Sequence, residues 1–129
     1  GVHGVMDGMI KRRRGTIVQM SSIAGRKVYP DHTVYCGTKY FVHGMSDSLR
    51  QHLAPHDVRV IVISPGVIET EVLDHVTDKA TLANYRANKV KMGGGIGAEH
   101  VAQSILFAYK LPQNVLIQEI CITPTRQEH

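Results

Sequence analysis

Residues 58–64, Val-Arg-Val-Ile-Val-Ile-Ser, form a near-continuous apolar run. A strand with one wet face alternates apolar and polar side chains. A run without that alternation suits a strand covered on both faces, as in a parallel sheet layered by helices. The neighbouring segments agree with such a sheet. Thr16 to Met20 is a short β-branched strand following Gly15, and residues 115–122 read as a third strand. Between them lie helical patterns. Residues 2–13 place Val2, Val5, Met6, Met9 and Ile10 on one stripe, with Gly15 as the stop; a long helix runs from about Thr33 to Ala54 and is stopped by Pro55; another spans about 98–109. Strand, helix, strand, helix, strand predicts an α/β fold with a doubly wound parallel sheet of three strands and flanking helices.

Within that frame, Tyr35 and Lys39 stand four residues apart on the long helix, hence one turn apart on the same face. A phenol beside an ammonium is a usable acid/base pair, because the cation favours the phenolate. Ser22 lies thirteen residues before Tyr35, where the first strand ends. Open α/β sheets place ligands at the carboxyl ends of their strands. Its hydroxyl is suited to hold a carbonyl or alcohol oxygen beside the phenol. Ser21 competes for that role, with a turn or cap serine as its plainer reading. Pro65-Gly66 closes the apolar strand, and Tyr29 and His32 flank the loop facing this centre.

The stretch GTIVQMSSIAGRKVYPDHTVYCGTKYFVHGMSDSLRQHLAPHDVRVIVISPGVIETE resembles the catalytic half of a short-chain dehydrogenase/reductase. The likeness runs over nearly the whole chain and is weakest in residues 72–97. It implies that Tyr35 is the catalytic acid/base, that Lys39 tunes it and binds the nicotinamide ribose, and that Ser22 orients the substrate oxygen. It further implies that Pro65, Gly66, Val67, Ile68 and Thr70 hold the carboxamide and phosphate side of NADP or NAD. The closing stretch Asn114 to Gln127 is similar to the ends of dehydrogenases acting on small hydroxy acids and related alcohols, often with NADP, so NADP is slightly favoured. The family's glycine-rich phosphate turn, its N-A-G segment and its helical asparagine are not in this sequence. The resemblance therefore makes residues 1–129 a partial Rossmann-type domain, the C-terminal half, with the dinucleotide-binding half absent. It makes 71–97 a substrate or lid loop region.

Composition excludes several other classes. Fifteen basic against eleven acidic residues leave +4, much of it in Lys11-Arg12-Arg13-Arg14. That run sits where a helix C-terminus welcomes positive charge, and no aromatic interleaving accompanies it, so no nucleic-acid partner is expected. Cys36 and Cys121 have no metal-type spacing, which favours a reduced, cytoplasmic setting. No apolar run approaches the roughly twenty residues that span a bilayer, so no membrane partner is expected. His52 and His56 have ligand-like spacing but lack a third ligand, so no metal is expected. The expected function is hydride transfer between NAD(P) and a carbonyl or secondary alcohol, with a small molecule as substrate. The second apolar face of the long helix (Val42, Met45, Leu49, Leu53) suits a homo-oligomer, dimer or tetramer. The other reading is a non-catalytic truncated or proteolytic fragment that keeps this oligomerisation surface.

Overall fold

The computed structural model describes residues 1–30, 32–70 and 78–128. In chain order the elements are α1 (Val2–Lys11), β1 (Gly15–Met20), α2 (Thr33–Leu53), β2 (Val58–Pro65), β3 (Ile68–Glu69), α3 (Lys79–Lys91), β4 (Ile96–Gly97), α4 (Ala98–Lys110) and β5 (Glu119–Ile122). The main sheet is parallel, in the order β1-β2-β5. Met20 lies opposite Ile63, and Pro65 opposite Ile122, so the carboxyl ends of all three strands share one edge.

Every residue of β2 is buried, which is the physical content of its unbroken apolar run. On one face Ile17, Leu53, Val58 and Val60 pack with Val2, Met6, Met9, Ile10 and Leu49 from the α1 and α2 side. On the other, Ile61 and Ile63 pack against Val101 and Ala108 of α4. Val5 departs from the predicted stripe and is 47% exposed. On α2, Val34 and Phe41 also remain open to solvent.

Several expectations are corrected. α1 stops at Lys11, two residues early, because Arg13 takes the left-handed conformation (φ 50°) and turns the chain. Gly15 is then the first residue of β1 rather than the stop. The last strand starts at Glu119, not Val115. Both backbone groups of Val115 are engaged elsewhere: its N–H donates to the Pro112 carbonyl at 2.9 Å, and its carbonyl accepts from the Arg59 guanidinium at 3.2 Å. Within 71–97, residues 79–91 are helix, and Ile68–Glu69 pairs in parallel with Ile96–Gly97 to make a second small sheet. Gly93 and Gly94 end α3 with φ of 80° and 102°, a conformation that strains side-chain-bearing residues. Residues 71–77 of that region lie outside the described residues.

Candidate active site

β1 delivers the chain to the carboxyl edge of the sheet, where Ser21 N–H still donates to the Ile63 carbonyl at 2.7 Å. Burial of Ile23, Ala24 and Gly25 then folds the backbone inward as a 3₁₀ turn. Ser22 caps that turn. Its Oγ accepts from Ala24 N–H at 3.2 Å and donates to the Pro65 carbonyl at 3.4 Å. The cap role predicted as the plain reading of Ser21 is thus performed by Ser22. Ser21 Oγ instead donates to the Lys39 carbonyl at 3.2 Å, fastening the strand end to α2.

On α2, buried Cys36 faces inward and leaves Tyr35 46% exposed. Lys39 Nζ lies 5.6 Å from the centre of the Tyr35 ring and donates to the Met20 carbonyl at 3.2 Å. The ammonium is therefore held at the end of β1, with two further protons to donate. Tyr29, His32 and Tyr35 form an edge-on aromatic row with ring centres 6.4 and 6.3 Å apart. The Tyr29 hydroxyl is buried without a hydrogen-bond partner among the described residues, and burial pushes its phenol up. Burial raises the phenol of Tyr85 on α3; Lys89 opposes the rise, and Glu69 and Tyr35 add to it electrostatically. Residue 85 carried no signal in the sequence.

The segment 65–70 is more firmly occupied than expected. Gly66 N–H donates to the Ile122 carbonyl at 2.8 Å, and Val67 N–H to Gln127 Oε1 at 3.0 Å. A side chain at Gly66 would run into Gln127 and Thr123. Ile68 is tied into the small sheet, whereas Thr70 is exposed at its end. Glu69 accepts from Gly95 N–H at 2.7 Å and from Lys89. The chain's closing residues thus brace the Pro65-Gly66 turn, a role the sequence did not reveal. His52 and His56 stack edge-on, 6.5 Å apart, and no cluster of three metal-ligating side chains occurs among the described residues.

A second set of contacts was also missed. Glu119 of β5 is only 15% exposed and receives both Arg26, which follows the 3₁₀ turn, and Ser64 Oγ at 2.6 Å. Burial alone would raise its carboxyl; the bonds from Arg26 and Ser64 outweigh that, and the net displacement is downward. A depressed folded value means the stabilisation is fully present above the ordinary glutamate value of about 4.3. It is lost as pH falls through the folded value. Glu119→Gln should therefore cost most stability near neutral pH, and the gap to wild type should narrow below about pH 4. Denaturant titrations at both pH values check this; an equal gap would mean that the carboxylate's charge contributes nothing.

Residues 1–81 match the short chain dehydrogenase family model. The chain belongs to that family. It is 32% identical over 132 residues to an uncharacterized oxidoreductase of Staphylococcus saprophyticus, covering 98% of this chain and 51% of that protein. It is 31% identical over 118 residues to the NADP-dependent 3-hydroxy acid dehydrogenase of Schizosaccharomyces pombe, covering 90% and 44%. Among solved structures, the closed form of serine dehydrogenase complexed with NADP+ superposes with a TM-score of 0.84 at 29% identity, covering 99% of this chain and 51% of that one. The parallel sheet with flanking helices matches the Rossmann-type arrangement of that family. The chain spans about half the length of the curated relatives it matches. No helix among the described residues is long and apolar enough to cross a membrane.

Proposed function

We propose that the protein serves an oxidoreductase interconverting a carbonyl and a secondary alcohol with NADP(H), on a small hydroxy acid or a related alcohol. What carries the reading is the meeting of Ser22, Tyr35, Lys39 and the Pro65-Gly66 turn at the carboxyl edge of one parallel sheet. The relatives named for NADP, 3-hydroxy acids and serine support the cofactor and substrate class.

The residues suit a nicotinamide ribose, since Lys39 uses one of its three protons at Met20 and the adjoining Tyr35 ring is half open. Lys39 and Tyr35 would hold the ribose, with Pro65 to Ile68 and Thr70 beside the carboxamide. For Val67 N–H to serve there, it must exchange its bond to Gln127. When bound, the cofactor supplies or accepts the hydride. In reduction, Tyr35 Oη gives its proton to the carbonyl oxygen while Ser22 Oγ holds that oxygen in place. In oxidation, Tyr35 Oη takes the proton back, with the Lys39 ammonium 5.6 Å from the centre of its ring. The lid role of 71–97 is retained in this reading.

The test is absorbance of NADPH during incubation of the enzyme with NADP+ and a panel of short 3-hydroxy acids and serine. Turnover of at least one is expected, and none across the panel would overturn the reading. Lys39→Met should lower kcat and raise KM for the dinucleotide together, since one side chain performs both tasks. A normal dinucleotide KM in that variant would remove Lys39 from the cofactor site.

A further inference from the structure

We propose that Glu119 is a positioning residue for the candidate site, its carboxylate joining the segments that carry Ser22 and the Pro65-Gly66 turn, with His43 of the Tyr35–Lys39 helix meeting the cluster at Ser64. The inference rests on the dehydrogenase reading above. Arg26 lies four residues beyond Ser22 and grips Glu119 with two nitrogens, Nε at 2.6 Å and Nη2. Ser64 immediately precedes Pro65, is fully buried, and donates to Glu119 Oε1 at 2.6 Å. His43 stands one turn beyond Lys39 on α2; its Nε2 is 3.3 Å from Ser64 Oγ and 4.0 Å from Glu119 Oε1.

Each link arrives from a different element. Arg26 and Glu119 are 93 residues apart, Ser64 and Glu119 are 55 apart, and His43 and Ser64 are 21 apart. Gly25 lets the turn and helix close on this point: a Cβ there would sit 2.5 Å from His43 Cδ2 and 2.7 Å from Ser21 Oγ. An Arg–carboxylate fork sets direction as well as distance. Loosening it releases the Ser22 turn from β5 and slackens the carboxylate that holds Ser64 beside the Pro65-Gly66 turn. Catalysis is sensitive to such release, because a misplacement of about 1 Å can cost on the order of 10²-fold in rate.

Glu119 touches no reacting atom in this account, so its effect must appear in kcat more than in binding. The enzyme is compared with its Glu119→Gln, Arg26→Gln and double variants, per mole of folded protein, with Tyr35→Phe measured alongside. Glu119→Gln should lower kcat by about 10- to 100-fold while KM for NADP+ stays within about threefold. The double variant should match Glu119→Gln alone, because both changes cut one link. Hydrogen exchange at the Ala24 amide, held by Ser22 Oγ, should quicken in both single variants. If Glu119→Gln does not fold, Arg26→Gln decides, since the Arg26 side chain is 58% exposed and its loss leaves the core intact. Wild-type kcat with a merely lower melting temperature would overturn the positioning role. Full turnover in Tyr35→Phe would instead overturn the dehydrogenase reading beneath it.

Discussion

Tyr35→Phe is expected to lower kcat by about 10²–10⁴-fold in both directions, the range associated with a general acid/base. The change deletes one hydroxyl and keeps the ring. The edge-on contact with His32 at 6.3 Å and the approach of Lys39 Nζ at 5.6 Å both survive. Thr38 Oγ1 bonds the backbone carbonyl of Tyr35, not its side chain, and is unaffected. Since the ring is 46% exposed, no buried polar group is orphaned and the fold should persist. Residual turnover is expected from Ser22 and from holding the reactants together. Steady-state kcat, with circular dichroism to verify folding, is the check. A variant with near-normal kcat would end the proposed mechanism.

Arg59→Met should cost about 3 kcal/mol of stability, within the range seen when a buried charged hydrogen-bond network loses one partner. Arg59 sits in buried β2 at 5% exposure, where a charge stands only if fully engaged. Its Nε meets Thr16 Oγ1 at 3.0 Å, and its terminal nitrogens meet the carbonyls of Tyr109 at 2.8 Å, Leu111 at 3.0 Å and Val115 at 3.2 Å. These carbonyls include the unsatisfied end of α4, where a cation is also favoured by the helix dipole. Methionine fills much of the volume but donates nothing, so the carbonyls lose their partner away from water. The denaturation midpoint reads the loss. Arg13→Met is the control: its ion pair with Asp57 is exposed on both sides, and a change under about 1 kcal/mol is expected. Equal losses for the two variants would mean that the Arg59 network adds nothing beyond a surface pair.

Arg59 also shows where sequence reading stops. It stands within the near-continuous apolar run Val-Arg-Val-Ile-Val-Ile-Ser, and β2 forms over that run. Nothing local revealed that its guanidinium would claim the Val115 carbonyl. Similarly, the spacing of Tyr35 and Lys39 set them one turn apart, as found. The anchoring of Lys39 by Met20 depends on where β1 ends relative to α2.

Burial on both faces of β2, the helical stripes and the shared face of Tyr35 and Lys39 were determined by the sequence itself. Each is a property of one element, written in its own periodicity. The parallel sheet was legible from the succession of strands and helices. The tertiary structure alone decided that Ser22 caps its turn and that Gln127 braces Val67. It alone decided that Glu119 gathers Arg26 and Ser64, with His43 alongside. Most of these contacts join residues tens of positions apart, and such pairs share no period. The local Ser22 cap depends equally on the fold, because burial of Ile23, Ala24 and Gly25 bends that turn inward.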